Sequence, residues 1–302
     1  MYAARMNAEV PLEVQLFWAC RLGQVERVRR LLDAGANVET HWNSSLTAYP
    51  DLDVSPLHVA TRYGHLAVAR LLLERGANPH RANGHSHSPL IVACKLPLSS
   101  VTVPNREAKA CALANLLLNF GAEVDATDDH GWEPLIHAVS SSYNSPELVQ
   151  ILLDRGASVL TGRNSTSVYI AADRRNLGIV RLLLERGALV DPGYMRANPT
   201  RGTPLYNAVR ILPHLGLARL LLAHGASFDR LCRDPVGSLK TPLSLVRDGG
   251  HLEMNALFDA YLKLYWRLRV KLRVFGSLSE HLLDLHVAPY LIGDGILSKK
   301  RS

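Results

Sequence analysis

Thirteen histidines and four cysteines are the residues of this chain best suited to chemistry. A histidine can serve as a general base or metal ligand near neutral pH, and a thiolate as a nucleophile. His80, His85 and His87 crowd into HRANGHSHS, but no carboxylate or thiolate stands near them at ligand spacing, so no metal is expected. Cys20, Cys94, Cys111 and Cys232 are far apart, lie mostly in apolar helix text and form no C-x-x-C pair. They read as small buried hydrophobes in a reducing compartment. No nucleophile stands beside a base in a recognisable motif, and no glycine-rich phosphate loop occurs. The expectation is a chain with no catalytic residues and no cofactor.

The elements that would position these residues follow from one phrase, SPLHVATRYGHLAVARLLLERGANP, from Ser55 to Pro79. Ser55 can accept free N–H groups at a helix start, and Pro56 at the first helical position loses a donor that had no partner. Leu57 and Ala60 give the first helix a narrow buried side, which Gly64 ends. Leu66, Val68, Leu71 and Leu72 form the apolar stripe of a second helix, which Gly76 stops. The phrase is similar to the T-P-L-H-x-A form and the ~33-residue unit of ankyrin repeats. The resemblance covers about four fifths of the chain.

Variants of the phrase recur. A degenerate first repeat runs from Val14 to Glu39 without the Ser/Thr-Pro-Leu start, as a terminal repeat should. The third starts at Ser88 and is interrupted around Pro97 to Glu107 by a proline-bearing loop between its helices. The fourth spans Glu133 to Ala157, the fifth replaces the proline by Val168, and the sixth spans Thr203 to Asp229. The seventh opens at Thr241 and its second helix, lacking the Gly-Ala ending, caps the series. The expected fold is all-α: an ankyrin-repeat solenoid of about seven helix-turn-helix repeats over residues 13–260, with a C-terminal helical segment over 261–297. Leu71, Leu72, Leu117, Leu152, Leu183 and Leu221 are expected to form its core.

After Leu262 the repeat text gives way to an amphipathic helix that Gly276-Ser277 breaks. A second helical segment leads to the stretch LHVAPYLI. This layout resembles the SOCS box of the ankyrin repeat and SOCS box family. Leu262, Trp266, Arg267, Val270 and Lys271 occupy the positions of that family's Leu, Cys, Arg and Ile-Arg pair, with Trp in place of Cys. The resemblance implies docking to elongin B/C through Leu262, Trp266 and Val270. It also implies cullin contact through Leu285, Leu291 and Ile292, where His286 and Ala288 stand in place of the family's two prolines. The alternative is a helical cap that buries Leu262, Trp266 and Val270 on the last repeat.

The resemblance further implies that His58 and His137 hold backbone between neighbouring repeats, a structural role, and that the inter-repeat loops project as fingers along a concave surface. Trp42, Tyr49 and Trp132, in or beside those loops, are candidate anchors for a target protein; for Trp132 the competing position is folded back onto the helices. The insertions at Thr40–Val54 and Lys95–Glu107 are the parts expected to distinguish this array.

Composition limits the remaining classes. Hydrophobic content of 47% supports a buried core, and 6% aromatics suits helices packed through Leu, Val and Ala. The net charge of +7 is spread over the chain in isolated pairs, so nucleic-acid binding is not expected. The N-terminus lacks the layout of a signal peptide and no long apolar run occurs, which excludes membrane binding and points to the cytoplasm. The short basic ending SKKRS leaves the nucleus open. Two function classes remain: a substrate receptor of an elongin/cullin ubiquitin ligase, or a plain adaptor or inhibitor.

Overall fold

The computed structural model describes residues 10–42, 53–95, 105–141, 145–160, 166–191, 202–210, 212–233 and 238–275, the last eight as backbone. Contacts divide the chain into two compact units at 164/165, each taken by itself below. Helix pairs form the expected repeats. In the first unit these are α1 (Leu12–Leu22) with α2 (Val25–Asp33) and α3 (Pro56–Arg62) with α4 (Leu66–Glu74). They are followed by α5 (Pro89–Lys95) with α6 (Arg106–Asn119), then α7 (Pro134–Ser140) with α8 (Pro146–Asp154). The second unit holds α9 (Ser167–Asp173) with α10 (Leu177–Glu185), α11 (Pro204–Arg210) with α12 (Leu215–Ala223), and α13 (Pro242–Gly249) with α14 (Leu252–Phe275). A ladder of two-residue strands, β1 (Cys232–Arg233) and β2 (Leu239–Lys240), precedes α13.

Local chemistry sets the helix starts. The Ser55 hydroxyl accepts the His58 backbone N–H while His58 reaches back to the Ser55 N–H, a capping box, and Thr241 with Ser244 repeats it. Ser145 caps α8 and Asn176 caps α10 in the simpler way. Gly23 ends α1 at φ 71°, and a Cβ there would lie 2.6 Å from Nδ1 of His65. Only glycine meets both demands, because the His65 ring must pass close by for Nε2–H to donate to the Arg21 carbonyl at 3.0 Å.

Inner helices pack in sequence order, α1 on α3, α3 on α5 and α5 on α7 in the first unit, and α9 on α11, α11 on α13 in the second. Ala60, Ala93 and Ala138 in the first unit, and Ala171 and Ala208 in the second, are fully buried. Their small side chains permit that approach. Outer helices supply the leucines: Leu72, Leu117, Leu152, Leu183 and Leu221 are 0% exposed and Leu71 is 3% exposed. Each repeat thus buries its leucine stripe within its own unit, where an isolated helix pair would leave it wet.

Most of the two insertions, residues 43–52 and 96–104, lies outside the described residues. The described helix ends, Lys95 and Arg106, flank the third-repeat insertion, and Trp42 pairs with Val54 on either side of the first. The tail differs in continuity. One helix, α14, runs from Leu252 to Phe275, so residues 260 and 261 fall inside it. No glycine or proline interrupts that stretch, and Gly276 follows its last residue. Met254, Leu257, Phe258 and Tyr261 bury its first half, which packs on α12 and α13.

Candidate partner-binding face

The finger turns between repeats are built from side chains that take over backbone roles. In the finger after α4, the Asn83 Oδ1 accepts the N–H groups of His85 (2.9 Å) and His87 (3.0 Å), while the Asn83 N–H donates to the His87 carbonyl. In the finger after α6, the Asp128 Oδ1 accepts the N–H groups of His130 and Trp132, both at 2.9 Å, and the Asp128 N–H donates to the Trp132 carbonyl. The two turns share one geometry, with left-handed residues at the same step, Ser86 at φ 54° and Gly131 at φ 68°.

Asp128 also does what Asn83 does not. Its Oδ2 accepts a hydrogen bond of 2.9 Å from Nε2 of His137, on α7, with the carboxylate side chain 1% exposed. Burial pushes the Asp128 carboxyl up, but the hydrogen bonds from Trp132, His137 and His130 together outweigh it and hold the group below the usual carboxylate range. Nε2 of His87 lies 3.7 Å from the same oxygen and accepts from Nζ of Lys95 at 3.1 Å. Nδ1 of His85 lies 3.9 Å from Asp129. Fingers two and three thus bring carboxylates beside the histidines of HRANGHSHS, which sequence spacing did not indicate. Asp128 is already committed to His137, and among the described residues no group of three or more His, Cys, Asp or Glu could hold a metal.

His58 spans repeats as expected, its Nε2–H donating to the His87 carbonyl at 3.0 Å and its Nδ1 accepting from the Ser55 hydroxyl at 2.8 Å. His137 departs from that pattern, because a buried carboxylate in its own finger offers a stronger acceptor than a neighbour's backbone. Burial, first, lowers the His58 imidazole to about 4, with Arg81 lowering and the His87 carbonyl, Glu39 and Asp53 raising it. His87 is likewise lowered to about 4, by burial and then by Lys95. The unfolded chain therefore binds protons between pH 6.5 and 4 that the folded chain refuses, and stability falls as pH drops through that window. For His58 alone the loss is about 3 kcal/mol, at 1.36 kcal/mol per unit. Urea midpoints at pH 7 and pH 4.5 should differ, and His58→Gln should flatten the difference; an unchanged slope would contradict the assignment.

The candidate anchors separate. Trp42 is 3% exposed, its ring 5.0 Å from that of Phe17 and edge-on to it. It is a core residue of the first repeat instead of an exposed anchor, because its backbone pairing with Val54 turns the indole onto α1. Tyr49 lies outside the described residues. Trp132 is half-buried with its ring 5.4 Å from that of His137, so it folds back in part toward α7 while keeping one edge at the surface. In the second unit Leu262 is half-buried and Trp266 is 53% exposed. Val270 is described only as helix backbone, and Leu285, Leu291 and Ile292 lie outside the described residues.

Other residues on this face were not singled out in advance. The Arg21 guanidinium lies 5.1 Å from the Trp18 ring centroid and 5.4 Å from that of Tyr63, a cation held between two aromatic faces. Arg81 reaches back to Glu39 at 2.9 Å and to His41, which meets Asp53 at 2.7 Å. The cysteines sit elsewhere, buried and reduced; burial raises all four thiols, Cys111 to about 11.

The family model for ankyrin repeats (3 copies) matches residues 14–83, 101–192 and 144–232. Ankyrin repeat and SOCS box protein 6 of Homo sapiens is 26% identical over 314 residues, covering 88% of this chain and 68% of that protein. The B-cell lymphoma 3 protein homolog of Mus musculus is 32% identical over 211 residues, 60% of this chain and 45% of that one. Among solved structures, the human ASB11 ankyrin repeat domain superposes with a TM-score of 0.56 at 29% identity, covering 76% of this chain and 90% of that one. Among the described residues no helix is long and apolar enough to cross a membrane.

Proposed function

Since the chain belongs to the ankyrin repeat family, whose arrays bind other proteins, we propose that it is the substrate-recognition subunit of an elongin/cullin-type ubiquitin ligase. The finger face holds a target protein, and the segment from residue 261 onward docks the ligase core. No chemistry is done by this chain; it raises the effective concentration of the target beside the transferring enzyme. The observation that supports the docking half is the exposure of Trp266, at 53%, on a helix whose Leu262 is half-buried and whose first half is anchored in the core. The likeness to ankyrin repeat and SOCS box protein 6 over 88% of the chain supports the same reading.

A second reading, an adaptor whose tail only caps the array, draws on Phe258 and Tyr261, which α14 buries at 0% and 1% exposure. Capping and docking divide the helix at Tyr261. The test is capture of purified elongin B/C by the full, folded chain. Binding at micromolar concentration, lost in Leu262→Ala, is the expected result. Absence of binding by the wild-type chain would leave the adaptor reading.

A further inference from the structure

Each inner helix of the first unit's first three repeats ends in a base at the same register. Arg21 stands two residues before Gly23 as Arg62 stands two before Gly64, and Lys95 follows Ser88 at the interval by which Arg62 follows Ser55. Because α1 packs on α3 and α3 on α5, these three form a row along the inner-helix face. Arg174 and Arg210 hold the same register within the second unit.

The charges in the row act on one another. Lys95, whose Nζ donates to His87, is lowered by burial first, with Asp128 and Asp129 raising it and Arg62 lowering it. The finger carboxylates beside the row face groups of the fold: Glu39 meets Arg81 and the Asn78 N–H, Asp53 meets His41, Asp128 meets His137 and two turn N–H groups, and Asp129 lies 3.9 Å from His85. No carboxylate of the described residues makes an ion pair with Arg21. A guanidinium stacked on aromatic faces keeps its in-plane donors suited to a carboxylate. Beside it Leu22 is 59% exposed, an apolar contact next to the charge.

Spacing names the occupant. Packed helices lie about 8–10 Å apart, and an extended chain in the polyproline-II form advances about 3.1 Å per residue with three residues per turn, so every third side chain lies on one face about 9 Å further on. One base per repeat therefore meets about every third residue of an extended peptide. We propose that the row Arg21, Arg62 and Lys95 binds an extended acidic segment of the target protein, with a carboxylate at about every third position and apolar residues between. This rests on the reading of the finger face as the target-binding surface.

The probe is a fluorescein-labelled peptide of four Glu-Leu-Ser triplets, titrated by anisotropy against the full chain. Controls are a peptide of the same composition with its glutamates contiguous, the Lys-Leu-Ser counterpart, and a single-stranded oligonucleotide. The triplet peptide should bind, weaken with salt, and lose about tenfold affinity in Lys95→Glu and Arg21→Glu. Lys95 is exposed, so Lys95→Gln serves as a variant that leaves packing intact and should weaken binding less than Lys95→Glu. Equal binding of the contiguous peptide, the lysine peptide or the oligonucleotide would overturn the proposal, as would binding indifferent to the variants. Random peptides panned on the chain separate the two levels. Non-acidic binders blocked by Lys95→Glu and Trp132→Ala would overturn the acidic class and leave the face standing, whereas binders indifferent to both would overturn the face as well.

Discussion

Leu183→Ala should lower the unfolding free energy by about 2–5 kcal/mol, because its side chain is 0% exposed in α10 and the cavity left behind cannot collapse fully. Leu189→Ala is the matched control. That leucine is 49% exposed in the following loop, and its loss should cost no more than about 0.5 kcal/mol. Urea melts of both variants decide the matter. If Leu183→Ala melted with the wild type, the leucine stripe would not be what holds the second unit together. The size of the effect follows from repeat architecture, in which each helix pair depends on its neighbours for most of its buried surface.

Asp128→Ala is expected to cost about 3 kcal/mol, large for a polar residue in a turn. The substitution removes the acceptor of His137 and strands the His130 and Trp132 N–H groups in a turn where Asp128 is 6% exposed. Asp128→Asn divides the loss. An amide oxygen should still cap the turn, as Asn83 does in the preceding finger, while the charge-assisted bond to His137 is lost, for about 1 kcal/mol. The carboxyl is held below its unfolded value, so its contribution is complete above about pH 4 and disappears as pH falls through the folded value. That window lies below the one in which His58 and His87 act, so acid should unfold the wild type in two overlapping stages and Asp128→Asn in the upper one alone. Equal melts of Asp128→Ala and wild type would remove Asp128 from the finger's support.

The scaffold could be read from local signals, because each is carried by neighbouring residues. Ser55, Pro56, Gly64 and Gly76 act within a few residues of themselves, and their consequences appear as drawn. The site could be read only in part. Trp42 occupies a loop by sequence, yet its indole is buried on Phe17, a contact between residues far apart in the chain. Asp128 looked like one more acidic loop residue; aligning it with Asn83 in the preceding finger is the signal that would have exposed its turn role. Its bond to His137 depends on how the finger folds against α7, which no spacing states. Arg21 between Trp18 and Tyr63 needed α1 and α3 side by side. The continuity of α14 is visible in the absence of Gly and Pro from Leu252 to Phe275, but the end of the repeat text places a boundary between array and tail at 260/261.

Docking through α14 from Leu262 onward, where Trp266 is 53% exposed, is the point on which the ligase reading turns. Amide hydrogen exchange of the full chain, with and without purified elongin B/C, addresses it directly. Protection should appear from Leu262 through residue 275, with the fingers around Asn83 and Asp128 unchanged and left open for the target. Protection confined to the fingers, or none anywhere at saturating elongin B/C, would contradict the account.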